Sequence, residues 1–375
     1  MKTKKFLQYV ATVSLSSLSS LLSIGVLTGC GDSDNLPPQP PIEPPTGWTI
    51  ESGMYILNSG NMNSNNSTLD LYNPGTAIPF ISKFFNIQNG RGLGDTANDM
   101  IVYGSKMYFA VNVSNTIEVT NRYAKSDKTI TPILEGESMK PRCFAAYEGK
   151  IYVSLFSGHV AEIDTTSLEI TRTVEVGPNP EQIAVSGGKL YVAISGGLQP
   201  TFGNTIAEID PETFTVTNEI EVRINPSAIK AGNDGMLYVV SIGDYFGIDA
   251  ALQRVDPITK GVTVIDEGTC VFFNINDDKI YLITSDRDNS TGLPINPVFK
   301  RYDINRKAFD EGAFIDSETF TNPSSISINP KTGNVYISSS DYMTTGDVYE
   351  YSPAGTLLNV IEVSGLNPMG VYFID

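Results

Sequence analysis

The chain is poor in the residues from which active sites are usually built. Its 375 residues include one histidine, one tryptophan and three cysteines. With His159 alone, a metal site made of several histidines is excluded. No Gly-x-Ser-x-Gly nucleophile elbow, no His-Glu-x-x-His and no phosphate-cradling glycine loop occurs. Basic residues are scarce as well: 25 Lys and Arg face 42 Asp and Glu, a formal charge of −17. Nucleic-acid phosphates are bound through basic side chains, so that class of partner does not fit. Catalysis by carboxylates alone, as in glycosidases, stays open.

What is present begins with a leader. Lys2, Lys4 and Lys5 precede an uncharged Leu- and Ser-rich run that ends at Leu27-Thr28-Gly29-Cys30. This is the pattern of a lipoprotein signal peptide over residues 1–29, with Cys30 as the acylated N-terminus. Removing three lysines and no acid takes the charge from −17 to −20. Residues 30–47 contain Pro37, Pro38, Pro40, Pro41, Pro44 and Pro45. Such proline density favours extended polyproline II and reads as a stalk. The expected globular part is 48–375.

That part repeats. A turn, an aliphatic residue and a tyrosine recur at Tyr55, Tyr108, Tyr152, Tyr191, Tyr238, Tyr281 and Tyr336; subtraction gives steps of 53, 44, 39, 47, 43 and 55 residues. Strand-built repeats of this length indicate an all-β, seven-bladed β-propeller, one blade per repeat. The fourth repeat reads most clearly: inner strand 180–185, hairpin 186–189, second strand 190–194, loop 195–204, third strand 205–210 and outer strand 215–222. The inner strands read as the more continuously apolar ones. Third strands end in an aspartate-led turn at Asp164, Asp210, Asp256 and Asp303, a structural pattern in which the carboxylate caps its own backbone. The stretch 367–374 resembles an inner strand without a blade, and the chain from Gly53 a blade without its inner strand. Joining them closes the ring. Cys143 and Cys270 fall three repeats apart and are expected as unpaired, buried thiols.

Alternating strand direction sorts the loops onto two faces. One face carries the turns that enter the inner strands and the loops between second and third strands. Four entering turns contain Asn-Pro, at Asn179, Asn225, Asn322 and Asn367, which is turn chemistry. Asn98 and Arg142 also belong to this face. The second-to-third loops hold Met62, Phe156, His159, Gln199, Phe202, Tyr245, Phe246, Arg287, Tyr342 and Met343. Aromatic and methionine side chains in loops have no core to enter, so together they suggest a surface for a flat, amphipathic ligand. Asp286-Arg287-Asp288-Asn289-Ser290-Thr291-Gly292 places oxygens at alternate positions, as calcium loops do. Its glycine is one position late and no twelfth-position glutamate follows, so a polar loop is the better reading.

Several stretches resemble a known family. Met54-Tyr55-Ile56-Leu57-Asn58-Ser59-Gly60-Asn61-Met62, Gly94-Asp95-Thr96-Ala97-Asn98-Asp99-Met100 and Tyr103-Gly104-Ser105-Lys106-Met107-Tyr108 are similar to the YncE-like propeller lipoproteins of gut Bacteroidetes. Within these the likeness is to the BtuG-type proteins. The resemblance runs from about Gly53 to the end and is most specific in the first two blades. It implies a non-enzymatic surface lipoprotein of the outer membrane that captures cobalamin or related corrinoids without a cofactor or metal of its own. It also implies delivery to a BtuB-type TonB-dependent transporter. The alternatives are capture of a glycan, haem or siderophore, and a propeller hydrolase or lactonase.

Overall fold

A computed structural model describes residues 53–76, 78–268, 270–288, 290–291, 293–315 and 322–374. The leader, Cys30 and the proline stretch lie outside these residues, so the expected lipid anchor and linker are not seen. Among the described residues no helix is long and apolar enough to cross a membrane.

Seven four-stranded antiparallel sheets follow one another, each a blade. The first is completed from the chain's end: Met54–Asn58 pairs with Pro368–Phe373, with Met54 opposite Phe373 and Ile56 opposite Val371. The expected ring closure is therefore present, with the chain's last strand serving as the inner strand of the first blade. The fourth blade matches its reading within one residue per strand, at Pro180–Ser186, Lys189–Ile194, Thr205–Asp210 and Thr215–Glu221.

The core lies between blades. Leu57, Leu69 and Leu71 of the first blade pack with Met100, Met107 and Phe109 of the second, and Met54 and Ile56 pack with Val348 and Ile361 of the seventh. Each second strand is sandwiched on both sides; Met107–Val111, Ile151–Leu155 and Leu190–Ile194 are buried throughout. The recurrent tyrosine sits in this strand. All seven copies are at most 5% exposed. The ring fills the space between blades, and in several copies the hydroxyl reaches a polar group, such as Glu350 for Tyr336 (2.7 Å) or Asp234 for Tyr238 (3.1 Å), while the buried Tyr108 hydroxyl has no such partner.

The inner strands depart from the expectation of continuous apolarity. They carry Asp99, Gln182, Lys230, Asn274 and Ser327, because one edge of each inner strand looks into a central channel rather than a core. Several of these side chains bond the next blade's backbone. Asp99 accepts the N–H of Phe144 (2.9 Å), Gln182 that of Ile229 (3.2 Å) and Ser327 that of Val371 (3.0 Å). Two elements were not foreseen: a helix, Phe84–Asn89, that plugs Phe84 and Phe85 into the first interblade core, and an exposed hairpin of Ile133–Leu134 with Glu137–Ser138.

Candidate functional site at the propeller mouth

The face that receives the inner strands is built on one repeated device. The residue preceding six of the seven inner strands takes a left-handed conformation: Thr96, Lys140, Asn179, Asn225, Asn322 and Asn367 have φ of 62, 56, 52, 61, 53 and 56°. Asparagine tolerates this conformation better than most side chains. Its carbonyl then accepts an N–H from the following loop, as in Ser195 to Asn179 (3.2 Å) and Ile242 to Asn225 (2.8 Å). The side chain adds a second tie, Asn367 Nδ2 donating to Gly60 O at 2.8 Å. The Asn-Pro pairs are scaffold, as their sequence context suggested. Just inside them, most inner strands bulge, one between Ala97 and Asp99 and another between Pro141 and Phe144. The bulges leave Asn98 and Arg142 without a partner in the strand ladder.

The mouth loops are unequal. They are short in the second and third blades (112–115 and 156–158) and longer in the fourth, fifth, seventh and first (195–204, 242–249, 340–346 and 59–67). The apolar surface follows the long loops. Phe246, Tyr342 and Met343 are 68%, 58% and 83% exposed, and Met62 and Tyr245 are exposed beside them. Phe202 meets Tyr245 edge-on with centroids 5.9 Å apart, and the Arg287 guanidinium lies 5.6 Å from the Tyr245 ring centre. One contact chain thus spans the fourth, fifth and sixth blades. Asn61 Nδ2 bonds the Tyr342 carbonyl at 3.2 Å, tying the first blade's loop to the seventh's.

Two of these loops share a construction that the sequence reading passed over. In Asp244-Tyr245-Phe246, the Asp244 carboxylate accepts the N–H groups of Phe246, Gly247 and Ile248 at 2.8–2.9 Å. In Asp341-Tyr342-Met343, Asp341 accepts those of Met343 and Thr344 at 2.8 and 2.7 Å. These N–H groups hold both carboxyls below the usual range. Both tyrosines are forced to positive φ, 66 and 61°. For a residue with a bulky side chain this is strained, and such strain concentrates at functional loops. The repeated Asp-Tyr followed by a large apolar residue is the signal that could have been found. Leu198 and Ile248, also exposed on these loops, were missed too.

Other expected site residues stand apart. Arg142 pairs with Glu181 (2.7 Å) and covers the Phe156 ring at 5.2 Å, a separate polar-aromatic group on the third and fourth blades. His159 is not in a loop. It is the first residue of a third strand, opposite Leu155 and Glu175, and its buried Nδ1 has no hydrogen-bond partner. Gln199 is exposed, and its backbone N–H closes a turn onto Gly196. Arg287 ends a strand rather than occupying a loop, because Lys279–Arg287 and Pro294–Asp303 pair further than expected, up to Arg287 opposite Pro294. In the calcium-like stretch the Asp288 oxygens are taken by Ser290 and Thr291 and close the turn itself; Asn289 and Gly292 lie outside the described residues. Cys143 is a half-buried free thiol on a channel strand, not a core residue, since its strand borders the channel; Cys270 opens the equivalent strand of the sixth blade.

Below the mouth the channel holds a cavity of about 310 Å³, lined by the inner strands of the second to fifth blades, including Asp99, Phe144, Gln182 and Lys230. Burial pushes the Asp99 carboxyl up to about 6, against the lowering effect of the Phe144 N–H, the Tyr372 hydroxyl and the Lys230 charge. Burial also holds the Lys230 ammonium below the ordinary lysine value. Among the described residues no three His, Cys, Asp or Glu side chains converge as a metal site would require.

The family described as Domain of unknown function (DUF5074) matches residues 52–338. The chain belongs to the DUF5074 family. The matched span covers six blades and part of the seventh, and stops short of the closing strand. No curated protein matches the chain by sequence. Solved structures share the DUF5074 chain's fold at low identity. A quinoprotein alcohol dehydrogenase-like protein of Bacteroides thetaiotaomicron has a TM-score of 0.60 at 13% identity, covering 88% of this chain and 80% of its own. Hydrazine synthase of Kuenenia stuttgartiensis gives 0.58 at 17%, covering 71% and 85%. The WD40 domain of Neurospora crassa Pan2 gives 0.54 at 13%, covering 74% and 81%. Identities this low establish the β-propeller and nothing about ligands.

Proposed function

We propose that this DUF5074 propeller is a non-enzymatic capture protein. In this reading it binds cobalamin or a related corrinoid at its mouth, from a lipid anchor on the cell surface, and passes it to a TonB-dependent outer-membrane transporter. The observation that carries the reading is the asymmetric arc of exposed Tyr245, Phe246, Tyr342, Met343 and Met62, with half-buried Phe202 and Arg287 against Tyr245. A corrinoid offers a broad apolar ring plane and a rim of amides. Aromatic and thioether side chains suit the plane, while Arg, Asn and Gln suit the rim. Loops pinned by Asp244 and Asp341 would present the arc with little ordering left to do on binding. The resemblance of the first two blades to BtuG-type proteins supports the choice of ligand, and the Thr28-Gly29-Cys30 box supports the anchor.

Calorimetric titration of the chain from Trp48 onward with cyanocobalamin tests this directly. Saturable heat at one site is expected. If neither cyanocobalamin nor its lower-ligand-free analogue binds, the corrinoid reading fails. The same mouth would then be tested against haem, siderophores and glycans. For the anchor, Cys30→Ala should leave the protein in the soluble fraction, and equal membrane retention would overturn it.

A further inference from the structure

The channel cavity lies below the mouth arc and has chemistry of its own. Lys230 projects from Pro226–Ala231 and lines it together with Gln182 and Asp99. Its situation differs from that of the other lysines. Lys106, Lys128, Lys150, Lys189, Lys279 and Lys300 each hold a carboxylate. Lys125 and Lys260 donate to the Gln88 carbonyl and the Asn218 side chain, and Lys83, Lys140 and Lys307 are exposed. Among the described lysines, Lys230 alone is drawn in from the surface with no carboxylate within 4.0 Å and no protein acceptor on its Nζ. An ammonium in such a place calls for an anion or a strong acceptor.

Asp99 does not serve as that acceptor. Its oxygens receive the N–H groups of Met100 and Phe144 and the Tyr372 hydroxyl, each at 2.9 Å. Gln182 spends its Oε1 on the Ile229 N–H at 3.2 Å, which leaves its amide N–H groups as donors on the same wall. The Lys230 ammonium and the Gln182 amide N–H groups therefore remain as side-chain donors beside a space of about 310 Å³, enough for a molecule of a few heavy atoms.

We propose that this cavity is a seat for a small organic carboxylate, with the Lys230 ammonium and the Gln182 amide as its donors. A monoanion fits better than a dianion because Asp99 shares the cavity and its repulsion grows with ligand charge. The seat is independent of corrinoid capture, and its test contains no corrinoid.

Trifluoroacetate is the probe, followed by fluorine NMR on the full chain, with acetate as competitor. The wild type should broaden the resonance saturably and acetate should reverse it. Lys230→Met should weaken binding by about tenfold or more, the scale of a lost charge-assisted bond. Lys140→Met, on the surface, should leave it unchanged, and Asp99→Asn should tighten it. Should Lys230→Met fail to fold by circular dichroism, Lys230→Gln keeps a polar head in the cavity and must show the same loss. No saturable broadening in the wild type, or equal broadening in the Lys230 variant, overturns the proposal. Displacement by inorganic phosphate at lower concentration than acetate overturns the carboxylate assignment.

Discussion

The two ends of the propeller solve the same problem in opposite ways. On the face away from the mouth, blade after blade uses one fitting. A lysine at the hairpin between inner and second strands bonds the aspartate that ends the third, in Lys150–Asp164, Lys189–Asp210 and Lys279–Asp303. Each aspartate also caps its own turn, as Asp164 accepts the N–H groups of Thr166 and Ser167 at 2.9 and 2.8 Å. At the mouth, the Asn-led entering turns are equally regular, but the loops above them differ in length, apolarity and strain. Uniform turns are what a repeated fold needs to close. Loops set on such a uniform base can differ from blade to blade without disturbing closure.

The largest effect separates neither face but removes the base they share. Deleting 366–375 would strip the first blade of Pro368–Phe373 and open the ring. The expected loss is most of a folding free energy of about 5–15 kcal/mol. Thermal melting reads it, and an unchanged midpoint would mean the ring closes otherwise. Gly365 makes a milder version of the same test. A Cβ there would meet Thr68 Oγ1 at 2.3 Å and Asn58 Cβ at 2.6 Å, so Gly365→Ala should lower the midpoint through a clash at the closing junction.

Breaking the mouth alone comes next. Alanine at Phe202, Tyr245, Phe246, Arg287 and Tyr342 together should weaken cyanocobalamin binding by about a hundredfold or more, since single anchors commonly contribute ~2 kcal/mol. Melting should change little, because these side chains stand outside the blade cores. Asp244→Ala keeps the aromatics but frees three N–H groups. A smaller loss of affinity is expected from it, read in the same titration.

Between the two faces, the channel has a pH signature. Asp99 is raised by burial to about 6, so the folded state holds a proton that the unfolded chain, with an ordinary carboxyl near 3.8, has released. Stability should therefore fall as pH rises from about 4 to about 6 and stay lower above that, by about 3 kcal/mol at most. Lys230, Cys143, Arg142, Glu181 and Tyr372 are the ionisable groups that share its surroundings. Asp99→Asn should flatten this step in a melting series; a step of equal size in the variant would assign it elsewhere. The smallest effect belongs to the far face. Lys189→Ala removes an exposed ion pair, and such pairs contribute little, so neither midpoint nor affinity should move measurably. Lost binding in that variant, with the mouth variant intact, would exchange the roles of the two faces.

The repeat of Tyr55 through Tyr336 and the Asp-led turns determined the blades, their number and the way the ends join. These are local patterns, and each repeat states them again. Most of the aromatic loop residues were legible too, since a large apolar side chain outside a strand has nowhere local to go. Only the tertiary structure decided which of them meet. Phe202, Tyr245 and Arg287 lie tens of residues apart and come together because neighbouring blades place their loops side by side. It also placed His159 at the start of a strand, opposite Leu155 and Glu175, and it extended the sixth hairpin up to Arg287. Lys230 reads in sequence as one charged residue in an apolar strand. Its isolation inside a channel is a property of the closed ring, because whether a lysine has a partner depends on what the other blades bring within 4.0 Å of it.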